Sequence, residues 1–237
     1  MAEIPTFNMV TVINKSTVIS ELDARACAAA LHVQLNRDFA PIWRIGGSVE
    51  YGTKVGSKGM ALYLFDDSDQ ANALGYHDVD SIGTPFGRVF ARIDGQRNLN
   101  WTVTASHELL ELMADPFVFS AAPMTRSTWT ALEVCDACEA DALGYRIDGI
   151  LVSDFLTPQW FGNPGSSQFD FTKKLRTKFS LARGGYISVW SQATGWTQKI
   201  ARKKPGEASR QETSHRHLIR VMKDLDVVNS EPSITED

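Results

Sequence analysis

The segment Thr104–Pro116, TASHELLELMADP, decides how the rest of the chain is read. Residues four apart share a helix face, so a helix here sets His107 and Glu111 one turn apart with Glu108 beside them. At about 100° per residue, a helix over Trp101–Ala114 turns Trp101, Ala105, Leu109, Leu112 and Met113 to one side. Thr104, His107, Glu108, Glu111 and Asp115 fall on the other. That polar side carries a histidine and three acids, with no lysine or arginine. Solvated helix faces ordinarily mix signs, so the pattern points to a bound cation, with a plain solvated acidic face as the competing reading. Pro116 stops the helix, since it has no amide to donate and its ring clashes with the preceding turn.

Upstream, NMVTVIN is a short β-rich run, and Ser20–Phe39 turns to helical composition, opened by a capping box of Ser20 and Asp23. PIWRIGG, GMALYLFDD and GRVFARID read as three strands bounded by Gly or Asp. Downstream the chain is β-rich. Asp148-Gly149 within YRIDGILVSDF marks a hairpin, and Gly184-Gly185 within KFSLARGGYISVWS marks a second. The expectation is an α+β fold in a single domain over 1–200, with a sheet-and-helix lobe at about 1–116, a β-rich lobe at 117–200, and a peripheral tail at 201–237.

The 237 residues suffice to bury a core, and 43% hydrophobic with 22% charged residues is ordinary globular composition. A net charge of −4 disfavours nucleic acid or an anionic membrane as the main partner. Only the basic stretch Arg202–Lys223 argues the other way. The start MAEIPTFNMVTVINKS has no Sec-type signal pattern, and no run approaches the ~18 apolar residues of a membrane helix. Three cysteines, Cys27, Cys135 and Cys138, make no disulfide framework, which suits a cytoplasmic or virion-associated protein.

In the metalloprotease helix H-E-x-x-H two histidines hold zinc and the glutamate is the general base; in this chain Glu111 stands at the second histidine's place. Zinc catalysis needs three protein ligands and an open position. The third is sought in WTALEVCDACEAD, where Glu133, Asp136 and Glu139 recur every third residue, so that a helical turn would align them. Glu133, 22 residues after Glu111, is the first choice and Asp136 its competitor. Asp136 also suits a hydrogen bond to the free ring nitrogen of His107, fixing its tautomer. Asp115, on the same helix face, is a further outer partner or alternative ligand.

SHELLELMADP followed by ALEVCDACE resembles the H-E-x-x-E, Asp-Pro, E-x-x-D-x-C pattern of uncharacterised bacterial and phage proteins related to zincin-class metallopeptidases. VSDFLTPQWF and GGYISVW resemble later blocks of that group, so the resemblance covers about Tyr76–Trp190. It implies a twisted sheet with a backing helix, Ser20–Phe39, an active-site helix, and GRVFARID as the edge strand along the cleft. It also implies zinc or another divalent ion on His107, Glu111 and Glu133, a peptide or protein substrate, and Glu108 as general base. The alternative is a non-enzymatic structural or interaction protein, phage-associated and assembled into a larger complex, with a structural or degenerate ion site. Two carboxylates on the ion would neutralise part of its charge and weaken its pull on a bound water.

Other polar residues have plainer readings. Cys135 and Cys138 form one C-x-x-C with no second pair and read as small buried residues. His77 and Asp78 in GYHDVD, ahead of the edge strand, have two readings, a border of the cleft and the favoured one of a hydrogen-bonding loop pair, and Asp66, Asp67 and Asp69 read as a strand-ending turn. His215 and His217 read as surface residues of the tail. Tyr145 and Tyr186 have the chemistry to stabilise an oxyanion, but nothing in the sequence brings either to the helix.

Overall fold

A computed structural model describes residues 7–56, 58–70 and 73–202 of the chain. The tail from 203 onward, with its histidines and nearly all of its basic stretch, lies outside the described residues.

The fold is mixed α+β. Strand β1 (Met9–Asn14) leads into α1 (Glu21–Val33), where the Ser20 hydroxyl accepts the Asp23 amide at 3.1 Å, as the capping box requires. The helical path continues through a π-helical stretch, Gln34–Phe39, into a last turn, α2 (Ala40–Trp43). PIWRIGG therefore begins as helix rather than as the expected strand. The widened turn precedes Pro41, whose missing amide and bulky ring a regular α-helix accommodates poorly. Arg44 closes the helix in the left-handed conformation, with φ 61°.

Strands β2 (Ser48–Tyr51), β3 (Met60–Phe65), β4 (Gly75–Val79) and β5 (Pro85–Phe90) join β1 in a five-stranded sheet of order β2-β1-β3-β5-β4. All pairings are parallel except β4 with β5. The edge strands are thus β2 and β4, and GRVFARID is not an edge. Its first half is β5, one position in, and its second half is α3 (Ala91–Gln96). β4 runs antiparallel to β5 at one end of the sheet, and the parallel β2 lies at the other.

Helix α4 (Trp101–Ala114) has the expected limits. It and α1 pack on the sheet face that carries Val10, Val12, Leu62, Leu64 and Val89, within one core that includes Leu31, Leu35, Leu109 and Leu112. Beyond α4, β6 (Ala121–Pro123), β7 (Thr128–Ala131), β10 (Tyr186–Ser191) and β11 (Gly195–Ile200) form an antiparallel sheet, while β8 (Tyr145–Ile147) and β9 (Ile150–Val152) form a hairpin. The turn of that hairpin is Asp148-Gly149, with φ 48° and 85°, as a tight primed turn demands.

The second expected hairpin is displaced: β10 turns back at Ala193-Thr194, and Lys178–Ala182 is not strand. Gly185 is instead a packing residue. A Cβ there would lie 2.5 Å from the Ala137 carbonyl oxygen, and the Ala182 amide donates to that oxygen at 2.8 Å. No helix among the described residues is long and apolar enough to cross a membrane.

Candidate metal centre

Helix α4 is buried along its whole length from Thr102 to Met113, so the face expected to be polar is an interior face. Polar contacts hold it there. The Ser106 hydroxyl donates to Gln34 Oε1 at 2.7 Å and accepts the Ser153 amide at 2.9 Å, while Gln34 Nε2 donates to the Ser153 carbonyl at 2.9 Å. Thr104 donates to Asp94 at 2.7 Å, and the Asp141 carboxylate accepts the Asn100 amide at the helix entrance. Each of these ties removes a degree of freedom from the chemical groups on the next turn.

His107 Nε2 lies 3.1 Å from Glu111 Oε2, the i,i+4 pair read from the sequence. The other oxygen of Glu111 accepts the Cys135 amide at 3.0 Å. Asp136 Oδ1 is 3.3 Å from the same Nε2 of His107. Asp136 thus approaches the nitrogen that faces Glu111, not the opposite one expected of a tautomer-fixing partner. The segment carrying it is not one helix. After β7 the chain is irregular through Glu133, and only Asp136–Cys138 makes a 3-10 turn, because Cys135 and Cys138 are drawn fully into the core.

His77 is the residue the sequence reading set aside. It belongs to β4, with its side chain 3% exposed. Nδ1 lies 3.5 Å from Glu108 Oε2 and 3.8 Å from Glu111 Oε2, and Nε2 lies 4.0 Å from Glu133 Oε2. A close approach of β4 to α4 makes this reach possible: a Cβ on Gly75 would stand 2.7 Å from Thr104 Cγ2 and 2.9 Å from Glu108 Cγ. Alternation along the strand then brings His77 to the same face as Gly75. Tyr186 was likewise unplaced, and its side chain hydrogen-bonds Asp136. Tyr145 is elsewhere, donating to Asp38 at 2.8 Å. Asp115 is turned to Ser120, accepting its amide at 2.8 Å and its hydroxyl at 3.0 Å.

Burial pushes the Glu111 carboxyl up to about 8, with Asp136 and Glu133 adding to the rise and His107 opposing it. Asp136 is raised by burial and by Glu133, against hydrogen bonds from His107 and Tyr186. Burial lowers the His107 imidazole, but Glu111 and Asp136 outweigh it and carry the value well above the ordinary one. All three shifts report negative charge gathered where water cannot solvate it.

Compared with protein-family models, curated proteins and solved structures, the chain gives no match. What the centre can hold is therefore judged from its own donor set. Ligands about 2.0–2.2 Å from a tetrahedral zinc lie about 3.3–3.6 Å from one another, and the separations from His107 Nε2 to Glu111 and Asp136 are 3.1 and 3.3 Å. Imidazole nitrogen, carboxylate oxygen and the Cys135 thiol form a set suited to zinc. The residues fit a divalent ion. Burial pushes the Cys135 thiol well up, so it would bind only as the ion displaces its proton to solvent.

Proposed function

We propose that the chain is a divalent-metal-dependent hydrolase of peptide bonds with a zincin-like fold, and that zinc is its ion. The observation that carries the reading is the buried convergence on α4 and its neighbours: His107 and Glu111 one turn apart, Asp136 against the same imidazole nitrogen, and Glu108 beside them on the same helix. His107, Glu111 and Asp136 would hold the ion, with the Cys135 thiol in the same group of donors and Glu133 near His77. When bound, the ion would supply Lewis acidity toward a carbonyl and toward water. Glu108 accepts the proton of the attacking water at its carboxylate and returns it to the leaving amine. The backing helix α1, the active-site helix α4 and an antiparallel edge strand β4 support the zincin-like assignment.

One observation favours a second reading, in which the ion is structural. Every side chain of the cluster is 10% exposed or less, and structural sites are closed whereas catalytic ones keep a position open. Glu108→Gln separates the two. With zinc-loaded protein and a pool of denatured-protein or peptide substrates, the hydrolase reading expects the ion on His107 and Glu111 and the fold to be retained, and activity down about 10²- to 10⁴-fold. Wild type that holds zinc and cleaves nothing in the pool supports the structural ion.

A further inference from the structure

The ligand atoms gather around two points rather than one. His107, Glu111 and Cys135 form one group whose donor atoms all lie within 4.8 Å of one another, and His77, Glu108 and Glu111 form another. Glu111 is common to both. Its Oε2 stands between the two imidazoles, 3.1 Å from His107 Nε2 and 3.8 Å from His77 Nδ1. Asp136 extends the first group, at 3.3 Å from His107 Nε2, and Glu133 borders the second, at 4.0 Å from His77 Nε2. Carboxylates in such a position bridge paired cations, as in the two-metal hydrolytic sites whose ions lie about 3.5–4 Å apart.

Charge argues the same way. Glu108, Glu111, Glu133 and Asp136 are all buried and carry four formal negative charges when ionised. A single divalent ion would leave two of them uncompensated in a region of low polarisability, and a third negative charge where the Cys135 thiolate binds, whereas two ions compensate all four carboxylates and leave at most the thiolate. The two groups also come from different parts of the chain. His77 arrives on the edge strand, so the second group exists only when β4 is docked on α4.

We propose that the centre holds two divalent cations bridged by Glu111, the second in a site made by His77, Glu108 and Glu111. The first group, with nitrogen, oxygen and sulfur donors, suits zinc. The second, with one nitrogen and carboxylate oxygens, suits zinc or a harder ion such as manganese. This rests on the metal-centre reading above and extends it: Glu108, binding through one carboxylate oxygen, keeps the other for the proton.

The test is ion stoichiometry on the full chain. Metal-free protein is dialysed against buffered Zn2+ and the bound metal counted by mass spectrometry, for wild type, His77→Ala, His77→Gln and Glu111→Gln, with circular dichroism as the check on folding. The expectation is two zinc ions per wild-type chain, one in either folded His77 variant, and weakened binding of both in Glu111→Gln. Two ions retained by a folded His77 variant overturn the proposal. A wild type that binds one ion overturns it as well, and if Glu111→Gln loses that ion the one-ion centre stands alone. Wild type that binds none overturns both readings.

Discussion

Glu111→Gln should reverse its effect on stability according to whether the ion is present. In the metal-free protein Glu111 titrates near 8 instead of 4.5, chiefly through burial. At pH 7 the folded chain therefore holds a proton that the unfolded chain has released. Because the folded value is the higher one, the fold is favoured most below pH 4.5 and loses ground as pH rises toward 8. At about 1.36 kcal/mol per pH unit between 4.5 and 7, the cost is about 3 kcal/mol. Glutamine has no proton to take up, and its side-chain oxygen can still accept the Cys135 amide that Glu111 accepts at 3.0 Å. In chelator at pH 7 the variant should be more stable than wild type by up to about 3 kcal/mol, the gap closing toward pH 4.5. In excess zinc the order should invert, since a ligand of the folded state at a thousand times its Kd adds about 4 kcal/mol that the variant largely forgoes. Urea unfolding at pH 5 and pH 7, with chelator and with zinc, measures all four corners. A variant less stable than wild type in chelator at pH 7 refutes the claim that this buried acid is a liability which the ion relieves.

Three further outcomes follow from single contacts. Asp154, buried and hydrogen-bonded to Asp170, is raised to about 8, first by burial, so its contribution is full below the ordinary value near 3.8 and is lost as pH rises toward 8. In Asp154→Asn that loss should be absent, and wild type should fall relative to the variant by about 2–3 kcal/mol between pH 5 and 7, measured by urea unfolding. Gly75→Ala forces a methyl group against Thr104 and Glu108; it should cost about 1–3 kcal/mol and weaken zinc binding in calorimetry, whereas unchanged affinity would mean that β4 docking does not matter to the ion. Ser106→Ala removes the hydroxyl joining Gln34 to the Ser153 amide and should lower unfolding free energy by about 1–3 kcal/mol, against a negligible change if water replaces the link.

Some of this architecture is legible in a linear reading because its causes are local. The i,i+4 spacing that pairs His107 with Glu111 follows from helix pitch alone, and α4 begins and ends where the pattern and Pro116 say it should. The Ser20 cap and the Asp148-Gly149 turn depend on groups within a few residues of each other. Gly184-Gly185 carried the same kind of signal and misled, because Gly185 is needed for close contact with the Ala137 carbonyl rather than for a turn. The strand expected at PIWRIGG failed for a comparable reason: a π-helical stretch lets the helix run past Pro41, and no pattern of apolar residues announces it.

By itself the sequence determined that one helix would present an imidazole and two carboxylates along one face, since that depends only on residue order and on 3.6 residues per turn. Only the tertiary structure decided that this face would be buried, that Asp136 would meet the same nitrogen of His107 as Glu111, and that His77 and Tyr186 would join them. His77 comes within reach through the antiparallel pairing of β4 with β5 and the absence of a side chain at Gly75. Such contacts between distant segments are selected by the packing of the whole core, where the burial of many apolar groups offsets the cost of gathering like charges, and that balance is not encoded in any short stretch of chain.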